Sequence, residues 1–317
     1  MRLVYFGTPL WAVPPLEALA ASEHQVAGVV CNPDRPAGRR GSPVPCPVKA
    51  RSRELGLAPI LQPATLRPTA ARRAILALEA DVFVVVAYGR ILPGRLIDAP
   101  PHGAVNLHFS LLPRHRGASP VQHAILRGDG ETGVTTMKMD RGLDTGPILL
   151  QVSTPIGPEE TTAELGSRLA DIGARLLLET LDGLAAGRIT PRSQDEDRAT
   201  LAPLLDKNAG RFDWEESAEA IARRVRALGQ WPKVRARGAR GVLLLRRVRP
   251  ADETPPKEAL PGTVLGARGE AVAVVCGAGS VLWIQRLQPE GRREMDGAAA
   301  LAGGYLASGG RLSVPAP

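Results

Sequence analysis

Apolar residues fall in two rhythms along the chain, and the change between them divides it. In the first half, short apolar runs alternate with segments of helical period. "RLVYF" (2–6) predicts a strand, and residues 12–22, rich in Ala and Leu, predict a helix. "QVAGVVC" (25–31) predicts a second strand, 48–56 and 68–79 predict helices, and "DVFVVVAY" (81–88) predicts a strand apolar on both faces and so buried. "GAVNLH" (103–108), a helix over 119–127 and "GVTTMKM" (133–139) follow. Such alternation implies a mainly parallel sheet covered by helices on both sides. A helix over about 162–186 closes this half: Thr161 and Glu164 form a capping box, Leu165, Leu169, Ile172 and Leu176 make the buried stripe, and Gly187 is the stop.

Residues 188–205 are polar and without period, as a linker would be. After a short helix near 217–228 the rhythm becomes that of strands: "KVRAR", "GVLLLRRVR", "GTVLGA", "EAVAVVC" and "SVLWIQRL". Gly and Pro punctuate them at intervals suited to a small antiparallel barrel or a sandwich. "RLSVPAP" reads as a frayed tail. The expectation is an α/β domain over 1–187, a linker over 188–205 and a mostly β domain over 206–317.

With 317 residues, 44% of them hydrophobic, each part can bury a core of its own. Aromatics make up only 3%, so the cores must rest on Ala, Val, Leu and Ile. Cys31, Cys46 and Cys276 are too few and too scattered for a disulfide framework or a CxxC metal site. His115 and His123 lie eight apart without a Cys or carboxylate cluster, and no metal is expected. The first strand follows the start directly, and no uncharged apolar run approaches the roughly 20 residues that span a bilayer. The reading is a soluble, reduced, cytoplasmic chain with no membrane contact and no obligate protein partner. "FGTPLWA" lacks GxGxxG, and no Walker motif occurs, so Gly7 reads as a tight turn and not as a phosphate loop.

The net charge of +8 and a pI of 10.0 favour a polyanionic partner, unless arginine is merely abundant throughout. Position argues for the partner. "CNPDRPAGRRGSPVPCPVK" (31–49) is barred from helix and central strand by its prolines and glycines, and it carries Arg35, Arg39, Arg40 and Lys49 against Asp34. Long loops within compact domains are usually functional. Between Arg223 and Arg249 lie ten Lys or Arg and no Asp or Glu, with Arg235 and Arg237 on one strand face and Arg247 and Arg249 on another. A solvated face would mix both signs, whereas a stripe of one sign follows a phosphate backbone.

Candidate chemistry sits at the end of "GAVNLH". Asn106 and His108, two apart on a strand, share a face, and Pro113 ends regular structure soon after. The pair is either a site or a hydrogen-bonded loop. In "MDRGLDTGPIL" (139–149), a capping role suffices for Asp140. Asp144 lies between Gly142 and Gly146, which let the chain bend closely around it and aim it at the Asn106/His108 pair.

"VNLHFSLLPRHRGASPVQHAI" (105–125) followed by "ETGVTTMKMDRGLDTGPIL" (131–149) resembles the folate-dependent formyltransferases. "FGTPLWAVPPLEAL", "DRPAGR", "VVVAYGRILP" and "LQPEGRREMDG" are similar to the branch of that family whose acceptor is an aminoacylated tRNA, and together these stretches cover essentially the whole chain in order. The resemblance implies formyl transfer from 10-formyltetrahydrofolate to the α-amino group of initiator methionyl-tRNA. It implies a Rossmann-like catalytic domain followed by an OB-like β-barrel that helps hold the tRNA. The family's catalytic Asn, His and Asp fall on Asn106, His108 and Asp144, and its folate-contacting loop on Ser110, Leu111, Leu112 and Pro113. Its basic loop for the acceptor end falls on residues 34–49, and the barrel arginines that remain as tRNA contacts are Arg235, Arg237, Arg247 and Arg249. Three departures stand out: Phe109 replaces a small residue, "RRGSPVPCPVK" replaces adjacent lysines and an SPVK ending, and "GQWPKV" stands where a PWP motif is usual. The rival readings are a formyltransferase acting on a purine-nucleotide precursor or an amino sugar, and a non-catalytic RNA-binding relative.

Overall fold

The structure, a computed structural model, describes residues 1–37 and 41–315. The chain forms two compact units. The first comprises Met1–Pro120, Glu131–Pro155 and Leu165–Pro203, and the second Val121–Gly130, Ile156–Glu164 and Leu204–Pro317.

Strands of the first unit are β1 (Arg2–Gly7), β2 (Gln25–Val30), β3 (Arg35–Ala37), β4 (Ser42–Val44), β5 (Ile60–Leu61), β6 (Val82–Val86), β7 (Ala104–His108), β8 (Glu131–Lys138) and β9 (Ile148–Pro155). Seven of them make one sheet in the order β5-β2-β1-β6-β7-β8-β9. The strands from β5 to β7 are parallel, and β8 and β9 run antiparallel at one edge. This is a mixed, Rossmann-like sheet; the helices α1 (Val13–Ala20), α2 (Pro47–Glu54), α3 (Thr69–Leu76), α4 (Gly94–Ile97) and α5 (Pro120–Arg127) lie between its strands in sequence, and α6 (Thr162–Ala185) follows β9. The double-faced apolar run of β6 is buried at every position. Three of the scarce aromatics gather there: Phe6 packs on Phe83 and Tyr88 with ring centroids 5.3 and 5.5 Å apart. At the start of α6, Glu164 Oε2 accepts from Thr161 N at 2.9 Å, as the capping box requires.

Three sequence expectations change here. Strand β9 was not foreseen, because an edge strand exposed toward its end carries little apolar signal. The 31–49 segment is not structureless: β3 and β4 pair as an antiparallel ladder of their own, Arg35 opposite Val44, and α2 begins at Pro47, where proline costs a helix nothing. The polar 188–205 stretch is no free linker up to Pro203. Its backbone bridges Arg192 to Ile148 and Leu201 to Arg116, and its polarity serves those bonds.

The second unit contains α7 (Ala218–Leu228), β10 (Val234–Gly238), β11 (Gly241–Ala251), β12 (Val264–Arg268), β13 (Ala271–Cys276), β14 (Ser280–Pro289), β15 (Met295–Asp296) and α8 (Gly297–Ala302). Its antiparallel sheet runs β10-β11-β14-β13-β12, with β15 beside β14. Among the described residues β10 and β12 do not pair, so the sheet itself is not a closed barrel. Residues 311–313 of the tail are seated rather than frayed. Ser313 exchanges backbone bonds with Arg237 of β10 at 2.7 and 3.1 Å, and Arg311 bridges Thr263 just before β12. Edge strands otherwise left with unpaired N–H and C=O groups explain why it stays there. No helix of the described residues is long and apolar enough to cross a membrane.

Candidate active site

In an open α/β sheet, ligands gather beyond the carboxyl ends of the parallel strands, near the point where the strand order reverses. Here the order reverses between β1 and β6, and β7 lies next to β6, so His108 at the end of β7 stands at that edge. Loops after three strands are tied together there. Thr8 Oγ1 and Asn32 Nδ2 both donate to the Tyr88 carbonyl, at 3.1 and 2.9 Å.

Asn106 and His108 lie two apart on β7, as the alternation requires, and Asp144 arrives from the loop between β8 and β9. Nδ1 of the buried His108 is 3.7 Å from Asp144 Oδ2. Nε2 of the same ring lies 2.9 Å from the His115 carbonyl, which only accepts, so Nε2 carries a hydrogen. Both ring nitrogens therefore face acceptors. The His115 carbonyl fixes the ring, while Asp144 faces its other nitrogen, Nδ1. The half-buried Asn106 amide has no hydrogen-bond partner among the described residues.

Asp144 is held from several sides. Its backbone has φ 54°, left-handed for a residue with a side chain, and Oδ2 accepts from the Gly117 amide at 2.8 Å. Gly117 has φ 124°, and a Cβ there would lie 2.6 Å from the Ala202 carbonyl oxygen. Gly146 is equally tight: a Cβ would sit 1.8 Å from the Lys138 carbonyl. Gln194 Nε2 donates to the carbonyls of Asp144 and Gly146 at 2.8 and 2.7 Å. Gln194 Oε1 accepts in turn from Arg116 Nε and Nη2 at 3.0 and 2.9 Å. Arg116, 5% exposed, closes a fork on Glu196 at 2.8 and 2.7 Å. That hydrogen-bonded guanidinium holds the Glu196 carboxyl below its usual range. Thr200 completes the strap, its Oγ1 accepting from the His115 amide at 2.9 Å. Asp140 keeps to its turn, accepting from the Gly142 amide and the Thr145 hydroxyl.

The Ser110–Pro113 loop turns two of its four side chains inward. Ser110 Oγ donates to the Arg114 carbonyl at 2.6 Å, and Leu112, 3% exposed, packs with Met137 and Ile148. Thr135 Oγ1 donates to the Ser110 carbonyl at 2.6 Å, and Gln151 Nε2 donates to the Leu112 carbonyl at 3.0 Å. Leu111 and Pro113 are half-buried, and Leu111 lies against Gly133 of β8. Nearby loops carry apolar side chains in water, Ile91 at 92% and Leu143 at 62% exposure. Single residues of this kind give no signal in a hydrophobicity pattern.

Among the basic residues, Arg35 is exposed on β3, whereas Arg39 and Arg40 lie outside the described residues. Lys49 is 9% exposed, with Nζ 2.6 Å from Asp34 Oδ2 and 2.5 Å from Gln62 Oε1, so it anchors the base of the loop and is not a free cation. In the second unit, acids from outside the 223–249 stretch reach several of its arginines. Arg247 pairs with Glu159 at 2.9 Å, Arg224 with Glu216 at 2.7 Å and Arg246 with Glu294 at 3.4 Å. Arg249 stacks on the Trp283 ring, its Cζ 4.2 Å from the centroid. Arg235 and Arg237 are exposed on one face of β10, between buried Val234 and Ala236, without a side-chain partner among the described residues.

The formyl transferase family model matches residues 1–181, and the model of the formyl transferase C-terminal domain matches residues 204–304. The methionyl-tRNA formyltransferase of Synechococcus sp. (strain JA-3-3Ab) is 47% identical over 321 aligned residues, 99% of each chain. Two solved structures share the fold at low identity. HypX from Aquifex aeolicus, in complex with tetrahydrofolic acid, gives a TM-score of 0.65 at 19% identity over 95% of this chain; the match spans about half of HypX, 47% of it. The N-formyltransferase from Helicobacter canadensis, in complex with folinic acid and dTDP-3-aminofucose, gives 0.66 at 17% identity, covering 90% of this chain and 98% of that one. The chain belongs to the formyl transferase family, and within it to the group of the methionyl-tRNA formyltransferases.

Proposed function

We propose that this protein transfers a formyl group from 10-formyltetrahydrofolate to the α-amino group of initiator methionyl-tRNA. The observation that carries the reading is the 47% identity to a methionyl-tRNA formyltransferase over 99% of both chains. A protein of the same fold in complex with tetrahydrofolic acid supports the donor.

The site's chemistry fits a formyl donor. Attack of a neutral amine on the formyl carbon moves negative charge onto the formyl oxygen, and preorganised N–H donors aimed at it lower the barrier. Asn106 supplies an amide N–H that has no competing partner among the described residues. In its protonated form His108 supplies Nδ1–H, while its Nε2–H stays committed to the His115 carbonyl. Asp144, 3.7 Å from Nδ1, stabilises the imidazolium and takes part in returning a proton to the leaving folate nitrogen. No metal ligand set is needed for these steps. The Ser110–Pro113 loop seats the folate through Leu111, Pro113 and its backbone.

The tRNA meets the basic loop at 34–49 and the arginines of the second unit. Phosphate contact there falls on Arg235 and Arg237 first, with Arg249 keeping its charge on the Trp283 face and Arg247 sharing its own with Glu159. In this reading the second unit works as an OB-like barrel whose gap is spanned by the 311–313 segment. The bridges Arg237–Ser313 and Thr263–Arg311 support that closure.

Purified protein is mixed with 10-formyltetrahydrofolate and one acceptor at a time, and release of tetrahydrofolate is followed. Turnover with methionyl-tRNA, and none with a nucleotide-linked amino sugar or a purine precursor, is the expected result. Turnover with either small acceptor alone refutes the assignment, and no turnover with any leaves an RNA-binding protein.

A further inference from the structure

We propose that Gln62 is a positioning residue whose side-chain amide holds the base of the basic loop in register with the turn after β6, at the edge of the sheet where the candidate site lies. Gln62 directly follows β5 and is half-buried. Its Oε1 accepts from Lys49 Nζ at 2.5 Å, and its Nε2 donates to Asp34 Oδ1 and to the Asn32 carbonyl, each at 2.8 Å. An amide turned over would face its N–H groups to an ammonium and its oxygen to two acceptors, so these partners fix its orientation. Lys49 Nζ also reaches Asp34 Oδ2 at 2.6 Å. One amide thereby joins both ends of the 34–49 loop, between which runs the β3–β4 ladder with exposed Arg35.

Toward the site the bonds continue through Asn32. Its Nδ2 donates to the Tyr88 carbonyl at 2.9 Å, and its Oδ1 accepts from Arg90 Nε. Arg90 Nη1 donates to the Ala64 carbonyl, two residues beyond Gln62, and closes the circuit. The turn so held needs outside support, with Ala87 at φ 44° and Gly89 at φ 75°. It leaves the sheet where Val86 pairs with Leu107, the residue before His108. Gln62 bonds to Asp34 and Lys49 on one side and to Asn32 on the other, so a shift of the loop base must break these bonds or carry Asn32 and Arg90 with it. The consequence for catalysis rests on the reading of this loop as the acceptor-end contact. In that reading the amide sets where the acceptor amine comes relative to His108, and its loss costs rate more than affinity, because the loop keeps its cations.

Trypsin reads the far end of this circuit without any substrate. To cut at Arg90–Ile91 it must take the Arg90 side chain into its own pocket, so the rate follows the population in which Arg90 has left Asn32 and Ala64. The full-length protein is digested briefly and the products are quantified by mass spectrometry. Cutting after Arg175, within α6, is the reference for global opening, since it needs that helix to unfold. In Gln62→Leu, cutting at Arg90 should be about tenfold faster with cutting at Arg175 unchanged. Gln62→Glu keeps the acceptor for Lys49 but has neither N–H, and should match it, which also covers failure of the leucine variant to fold. Lys49→Met should speed the Arg90 cut in the native background and add nothing to Gln62→Leu. An Arg90 cut that rises no more than the Arg175 cut in either Gln62 variant overturns the proposal, as does an equal effect of Lys49→Met with and without Gln62. In formyl transfer, Gln62→Leu should lower kcat about tenfold and leave the KM for methionyl-tRNA within about twofold, and a loss confined to KM overturns the positioning role. Native protein that does not turn over methionyl-tRNA refutes the assigned reaction instead, and the trypsin rates then decide the brace alone.

Discussion

Gln194→Ala tests whether the strap over the candidate site is what positions its carboxylate. In the native chain the Gln194 amide donates to the Asp144 and Gly146 carbonyls at 2.8 and 2.7 Å. Each neutral hydrogen bond contributes about 1 kcal/mol net, so truncation withdraws about 2 kcal/mol from the loop. What those bonds hold is strained: Asp144 sits at φ 54°, a conformation that costs a residue with a side chain about 1–3 kcal/mol. If the full 2 kcal/mol favours escape, the ratio of competent to escaped loop falls about 30-fold. The competent population falls by up to that factor where the two are close in energy in the native chain. The expected result is a kcat for formyl transfer about 10- to 30-fold lower, with the KM for methionyl-tRNA changed less than about twofold. Gln194→Glu keeps the acceptor for Arg116 but has no N–H to give, and should lose as much. Steady-state kinetics with thermal melts of the same preparations make the measurement. An unchanged kcat in either variant, or a loss confined to KM, refutes the positioning role.

Four further outcomes follow. Gly117→Ala forces a Cβ to 2.6 Å from the Ala202 oxygen and displaces the amide that holds Asp144, so activity should fall with a drop in Tm of several degrees, about 2 kcal/mol or more. His108→Ala should lower formyl transfer about 10²-fold or more, read as single turnover, with tRNA affinity nearly unchanged. Glu196 has a carboxyl lowered in the folded state from 4.5 by Arg116, so its stabilisation is full above that value and is lost as pH falls through the lower folded one. The Tm difference between wild type and Glu196→Gln should therefore shrink between about pH 7 and about pH 3, and a constant difference would remove the pair from acid sensitivity. Arg235→Ala with Arg237→Ala should raise the tRNA KM and flatten its salt dependence by about two phosphate contacts, with kcat at saturation mostly intact.

The parts legible in the sequence are those that local pattern controls. Buried β6 was readable because a strand covered on both faces is apolar throughout, and α6 because its Thr161–Glu164 box and apolar stripe are both local. The shared face of Asn106 and His108 followed from a period of two. What stayed hidden depends on partners far apart in sequence. Lys49 counted as a free cation until Asp34 and Gln62 came within 2.6 Å of it, and the ten cations of 223–249 counted as unopposed until Glu159, Glu216 and Glu294 arrived from other segments. A charge count along a chain ignores folding, and folding here neutralises in pairs.

The 188–205 segment carries the same lesson into the chemistry. Its lack of period and its polarity suggest a tether, because both are what a solvated connection shows. A strap bonded through side-chain amides and backbone groups shows them too. Gln194, Glu196 and Thr200 are polar because their partners are the Asp144 carbonyl, the Arg116 guanidinium and the His115 amide, none of which is apolar. His115 then passes the constraint on, since its carbonyl takes the Nε2 hydrogen of His108 and leaves Nδ1 toward Asp144. The ring and the carboxylate are thus oriented by one segment whose bonds go to their neighbours and to the Asp144 backbone. A substitution anywhere along that segment should consequently register in kcat before it registers in substrate affinity.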